Sequence, residues 1–473
     1  MIPLIAAGIC MLLIWELFRL NRDPEPQTSW ALWIPTFWLF IASSRNISAW
    51  LQYSYSPGGS SDQYTEGSPV DRAVLTLVLA LGVIVLLSRA RRIGPLLAGN
   101  LPVLFYFFYC GFSIFWSDFP DVAFKRWFRA LGDVVMVLIV ISDPNWLVAL
   151  RRLFSRVGFV VVPLSILFIR YFPQLGRSYT IGGTGTWTGV GTDKNALGML
   201  CLVFGLATIF RFMELRREPP SPRRKRMLIA YGAVIIMTLY LLYEAHSATA
   251  LACFFLAGIP MVLTYSFAWA RQRGVVHLLI FAMVAVSFTA LFLNVGSGMV
   301  EELGRDSTLT GRTNIWRSAF GLVRNPIFGT GFESFWVGPR LKAMERLIDQ
   351  TVNQAHDGYI EVYLNLGWVG VTLLAFILLS AYRRVVRDVP SMSQAASLRL
   401  GYLIVALTYN FTEAGFKMMH PVWITLLIAA MVIPEITVSP EPPPQLGVNL
   451  PSLGRKPETP RYAVPVGRYL ERR

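Results

Sequence analysis

Three arginines and a histidine stand in the longest polar interruption of the second half of this sequence. The stretch reads TLTGRTNIWRSAFGLVRNPIFGTGFESFW and resumes as NQAHDGYIEVYLNLGWVG, so Arg312, Arg317 and Arg324 come first, Gly329 and Gly331 follow, and His356 closes it before an apolar run begins. A guanidinium presents a planar fork of donors that suits phosphate, and a histidine moves a proton near neutral pH. Side by side they supply what group transfer from a lipid diphosphate needs, and the stretch reads as a catalytic loop.

Other residues could join that chemistry. The run IGGTGTWTGVGTDKN, from Ile181 to Asn195, precedes an apolar segment; it either cradles phosphate with backbone amides at a helix start or is only a flexible loop. Glu413, in NFTEAGF, ends an apolar span, where an ionisable group is costly; it orients a histidine or an arginine, or caps a helix. His246, His356 and His420 fall at the same ends of their spans, and His277 at the opposite end. No two histidines have ligand spacing and the carboxylates are not clustered, so no metal is expected. No GxxxxGK[ST], HExxH, CxxC pair or GxSxG stands in a usable context, so no cofactor is expected. Between Arg312 and Asn325, Ile315, Trp316, Ala319, Phe320 and Val323 share one helical face, the pattern of a surface helix that covers a bundle as a lid or holds its arginines to lipid headgroups.

The elements that must position these groups are membrane helices. Of 473 residues 54% are hydrophobic and 15% charged, with mean hydropathy +0.50. Apolar runs fall near residues 2–18, 30–44, 70–88, 98–116, 129–142, 157–171, 195–213, 227–244, 248–269, 276–295, 358–381, 398–412 and 421–436. A bilayer core of about 30 Å takes roughly 20 helical residues. The chain therefore reads as all-α and polytopic, with twelve or thirteen transmembrane helices, the second and fifth runs being short. Arg89, Arg91 and Arg92; Arg151, Arg152 and Arg156; RREPPSPRRKR; Arg271 and Arg273; and Arg383, Arg384 and Arg387 occupy alternate connections, which the positive-inside rule assigns to the cytoplasm. Residues 45–70, 172–194, 245–247, 296–357 and 411–420 then lie outside. The same rule accounts for the net charge of +15 without a nucleic-acid partner. Cys10, Cys110, Cys201 and Cys253 sit inside apolar runs as small hydrophobes. The proline-rich residues 437–473 read as a disordered cytoplasmic tail, which leaves 1–436 as the membrane domain with its outer loop at 296–357.

With these residues in view, GRTNIWRSAF, NPIFGTGFESFW and AHDGYIEVYLNLGWVG resemble, in order and spacing, the signature of the O-antigen ligase and O-antigen polymerase superfamily. WALWIPTFWLFIASSRNISAW and GVGTDKNALGM are similar to its exopolysaccharide-polymerase branch. The resemblance implies an inner-membrane glycosyltransferase with a large periplasmic loop carrying short helices. It implies a glycan donor on undecaprenyl diphosphate, a glycan or lipid A core acceptor, contact with membrane lipids and other polysaccharide-assembly proteins as partners, and no metal. By position, His356 matches the family histidine that activates the acceptor hydroxyl. Arg312 matches the arginine expected at the diphosphate, and Lys194 with Asn195 a lysine-asparagine pair before a helix. Asp193 departs from the histidine common before that pair, and HSATALA lacks a basic residue of the family's serine-rich motif. The second phosphate-binding cation is thereby left to Arg177, Lys194 or a loop arginine such as Arg317. Asp357 stands where asparagine is common, and either raises the basicity of His356 or faces solvent. The rival reading is a transporter or flippase for a lipid-linked anionic substrate. It calls for charges at mid-membrane and interrupted helices at matching places in two halves, and no such repeat is legible.

Overall fold

The computed structural model describes residues 1–23, 27–51, 68–179, 185–292, 310–349, 352–392 and 395–432. The proposed tail and the first part of the outer loop, 296–309, lie outside these residues. The helices are α1 (Ile2–Leu20), α2 (Trp33–Ala42), α3 (Pro69–Ser88), α4 (Ala90–Ala98), α5 (Leu101–Phe112), α6 (Pro120–Ile141), α7 (Trp146–Tyr171), α8 (Lys194–Arg217), α9 (Pro222–Glu244), α10 (Ala248–Ser266), α11 (Arg273–Phe292), α12 (Thr310–Gly321), α13 (Gly338–Ile348), α14 (Gly358–Asp388), α15 (Ala396–Tyr409) and α16 (Pro421–Ala430). The one sheet among the described residues is a hairpin of β1 (Arg177–Tyr179) and β2 (Gly185–Trp187) between α7 and α8.

The chain is an all-α, multi-pass membrane protein. Among the described residues eight helices, α1, α3, α7 to α11 and α14, are long and apolar enough to cross a bilayer. The pair α4 and α5, bent by 89° at its break, makes a ninth if the two count as one span. The other four apolar runs are helical but differ in kind. Run 129–142 is the inner part of α6, whose outer half carries Lys125, Arg126 and Arg129. α2, α15 and α16 are short. Yet all ten residues of α16 and nearly all of α15 are buried, because the longer helices wrap them. Proline at the first or second position starts α3, α5, α6, α9 and α16, where its missing N–H costs nothing.

Segments 45, 172–194, 246–247, 312–357 and 411–420, all assigned to the outside by charge, gather at one end of the bundle, joined by side-chain bonds that include those of Asn195 at the start of α8. The basic connections lie at the other end. There Arg89 reaches the Ser142 hydroxyl (2.9 Å), and Arg151 pairs with Glu214. The amphipathic helix reading of Arg312–Asn325 holds for α12, which ends at Gly321. Ile315 and Ala319 are buried with Phe335, Met344, Ala355 and Leu364 in a small core of their own, while Phe320 stays exposed and meets Tyr363 edge-on.

Candidate functional site

Glu413 is the hub of the outer end. Its carboxylate is buried, 8% exposed, and accepts a hydrogen bond from Asn195 Nδ2 (Oε1, 3.0 Å). Arg312 Nη2 stands 3.7 Å from Oε1 and His356 Nδ1 3.5 Å from Oε2. Of the alternatives the sequence left open, the orienting role fits this geometry, because one carboxylate touches the arginine and the histidine together. Asn195 is fixed in turn by Ser247, whose hydroxyl donates to its Oδ1 (3.3 Å).

Four local devices build this meeting point. Asp193 caps α8, accepting from the amides of Asn195 and Ala196 (both 2.9 Å), which gives a structural use to the acid that replaces the family's histidine. Asp357 caps α14, accepting from Tyr359 (2.9 Å) and Ile360 (2.8 Å). It is buried, not solvent-facing, and burial pushes its carboxyl up to about 6 against the pull of those two amides and the charge of Arg312. Asn410 folds the hub loop, its Oδ1 receiving the amides of Gly415 (2.8 Å) and Phe416 (3.1 Å). A Cβ at Gly358 would lie 1.9 Å from that same Oδ1, so only glycine lets α14 start against the loop. The segment before His356 is held on both sides of Ala355: its carbonyl accepts from Trp316 Nε1 of α12 (2.8 Å), and its amide donates to Glu361 of α14. The chain then turns through φ +54° at His356.

His356 Nδ1 has two neighbours, Glu413 and, at 3.3 Å, the Gln354 amide nitrogen, whose own oxygen accepts from Lys417 Nζ (3.2 Å). A carboxylate attracts a ring N–H more strongly than an amide N–H attracts a bare ring nitrogen. The proton therefore belongs on Nδ1, and Nε2 keeps its lone pair. His420 differs. Burial and then the charge of Lys417 push its imidazole down to about 3, and its Nδ1 accepts the Val422 amide (3.3 Å) as the cap of α16.

The remaining candidates lie apart from the hub contacts. Arg177 donates to the Ile169 carbonyl (3.0 Å) and stacks over Trp187 (4.2 Å), held by its own hairpin. Lys194 opens α8, exposed beside the hub, and Arg317 is exposed on α12. The glycine-rich run does not offer a free phosphate cradle in its described part. The amides of Thr188, Gly189, Val190 and Gly191 already donate to Gly176, Gly176, Ser165 and Thr188. Sequence reading passed over Asp133 of α6, wholly buried, which accepts from Trp38 Nε1 (2.8 Å) and from the Met419 amide (2.8 Å), so fastening the hub loop to the bundle. The signal was there, a carboxylate inside an apolar run. Among the described residues no group of three histidine, cysteine or acidic side chains could hold a metal.

A helical membrane bundle with a carboxylate, an imidazole and a guanidinium gathered at one end is the class defined so far. Residues 232–375 match the family model described as O-antigen ligase, a span that contains Arg312, Arg317, His356 and Asp357 but neither Asn195 nor Glu413. The chain is also 26% identical over 284 residues to the exopolysaccharide production protein ExoQ of Rhizobium meliloti (strain 1021). That match covers 57% of this chain and 61% of the relative, so it spans about three fifths of the curated protein's length. By these two matches the chain is similar to the O-antigen ligase and polymerase superfamily.

Proposed function

We propose that the protein is a glycosyltransferase of the polymerase or ligase kind, acting at the periplasmic face of a bacterial inner membrane on a glycan carried by undecaprenyl diphosphate. The observation that carries this reading is the convergence of Arg312 and His356 on Glu413. An acceptor sugar hydroxyl loses its proton to His356 Nε2 and attacks the anomeric carbon. The bond from that carbon to the diphosphate oxygen breaks, and the lipid diphosphate leaves with the electron pair. Arg312 meets the charge that develops on the leaving group, and Glu413 holds the imidazolium once it forms. A single displacement inverts the anomeric centre. Lys194 and Arg317, both exposed, and Arg177 are the candidates for a further cation at the diphosphate. The acceptor is another repeat unit in a polymerase and a lipid A core in a ligase. Membrane lipids and other polysaccharide-assembly proteins complete the setting.

The test uses the full chain in lipid nanodiscs with lipid-linked glycan extracted from cells that lack the protein. Release of undecaprenyl diphosphate together with elongated or transferred glycan is the expected result. Movement of intact donor across proteoliposomes with no bond broken would overturn the enzyme reading in favour of transport.

A further inference from the structure

Arg45, just past α2, is a cation at the outer end with an unusual set of partners. Its Nη2 donates to the carbonyl oxygens of Leu175 (2.7 Å), Gly189 (3.0 Å) and Gly191 (3.0 Å), and its Nε to that of Val190 (3.1 Å). Its guanidinium also lies against the rings of Trp50 (5.5 Å) and Phe168 (5.8 Å). Four carbonyl dipoles converge on it, three from consecutive residues of one turn. Without a cation between them those oxygens would face each other at a cost, so the turn and the guanidinium define one another.

The turn is demanding on its own account. Gly189 sits at φ +56°, and a Cβ there would come within 2.7 Å of Ser165. The amide of Val190 is spent on the Ser165 hydroxyl (3.2 Å). From Gly191 the chain has only Thr192, Asp193 and Lys194 before Asn195, whose side chain bonds Glu413. Arg45 is thus linked to the hub through a short rigid path: guanidinium, turn, capped start of α8, Asn195, Glu413.

We propose that Arg45 is a positioning residue that holds the 189–191 turn so that Asn195 presents its amide to Glu413, and through Glu413 sets His356 and Arg312. The inference rests on the glycosyltransfer reading for its kinetic consequence and on the hydrogen bonds alone for its structural one. Lysine cannot replace this group, since one ammonium does not span four acceptors in a plane. A displacement of about 1 Å at a reacting group costs up to about a hundredfold in rate.

The experiment compares wild type, Arg45→Lys, Arg45→Ala, Asn195→Ala and the double variant Arg45→Ala/Asn195→Ala, all full length in nanodiscs. Transfer kinetics and amide hydrogen exchange over residues 188–197 are read side by side. Arg45→Lys should melt close to wild type, lose about ten- to a hundredfold in kcat with KM for the donor little changed, and exchange faster over 188–197. The double variant should be no slower than Asn195→Ala alone, because both changes break the same path. Guanidinium at millimolar concentration should restore part of the Arg45→Ala rate, and ammonium should not. Independent, additive losses in the double variant, a rise in donor KM at constant kcat, or unchanged exchange over 188–197 would overturn the proposal. If the wild type transfers no glycan, the catalytic reading fails, and the exchange data still decide whether Arg45 holds the turn.

Discussion

The two ends of the bundle handle charge in opposite ways. At the inner end three arginines and three carboxylates close on one another. Glu214 takes Arg151 (2.9 Å to Nε) and Arg211 (3.2 Å), Glu218 takes Arg211 (3.2 Å) and Arg223 (3.3 Å), and Arg223 also meets Asp23. At the outer end Glu413 faces Arg312 at 3.7 Å and His356 at 3.5 Å, both beyond ordinary hydrogen-bond length, with only Asn195 close at 3.0 Å. A tight, mutually neutralised network fastens helices. A carboxylate that meets its cationic partners at longer range lets those contacts tighten when a substrate arrives. Under the proposed function, the inner end serves stability and the outer end chemistry.

The largest effect expected from that contrast lies at His356. His356→Ala should lower transfer by about a hundred- to ten-thousand-fold while yield and melting stay near wild type. His420→Ala should cost stability in place of turnover, because that ring caps α16 and its lowered pKa makes it a weak base, uncharged at neutral pH. Essential His420 with dispensable His356, measured in the same transfer assay, would move the catalytic centre and leave the arginine loop as a cover over the site.

Next comes the arginine. Arg312→Lys keeps the charge but loses the planar fork, and should lower kcat over KM by about tenfold or more. Arg346, exposed and bonded to the Lys342 carbonyl, serves as the control. Equal tolerance at Arg312 and Arg346 would mean a generic basic surface.

Glu214→Gln probes the other end. It strips the shared carboxylate from two guanidiniums, and should cost on the order of 2 kcal/mol in stability, seen as a lower melting temperature in detergent, with the turnover of folded protein unchanged. A turnover loss comparable to that of His356→Ala would erase the division between the two ends.

The last effect is a pH dependence at Asp357. Its carboxyl is raised from 3.8 to about 6 in the folded protein, so between these values the native state holds a proton that the unfolded chain has released. Stability from this group is therefore highest below about pH 4 and falls as pH rises toward about 6, by no more than about 3 kcal/mol. Asp357→Asn keeps an oxygen to cap α14 and removes the ionisation. The difference in melting temperature between wild type and variant should thus move in the variant's favour from pH 4.5 to pH 6.5. A difference that stays constant over that range would mean that Asp357 is not desolvated.

The sequence by itself determined the helical membrane class, the side of each loop relative to the others, the amphipathic start of α12, and Arg312, Asn195, His356 and Glu413 as candidates. These follow from local signals: apolar runs long enough to span, basic connections at alternate ends, and polar groups where a run stops. Only the tertiary structure decided which candidates meet. Asn195 and Glu413 are 218 residues apart in the chain, and nothing in either's neighbourhood names the other. The same holds for Arg45, which sequence shows as one more loop arginine and the fold surrounds with four carbonyl oxygens, and for Asp133, bound to Trp38 and to the Met419 amide 286 residues on. Only the second and fifth runs were read as short, yet α15 and α16 are also short and almost wholly enclosed and α4 with α5 is sharply bent, because enclosure by neighbouring helices sets how long a buried helix must be and hydropathy does not. Arg177 shows the same from the other side: its charge and loop position suited phosphate, while the fold sets its Nε on the Ile169 carbonyl and its guanidinium over Trp187. A charged side chain's partner is fixed by what the fold brings within about 4 Å, and that is a property of the packed chain alone.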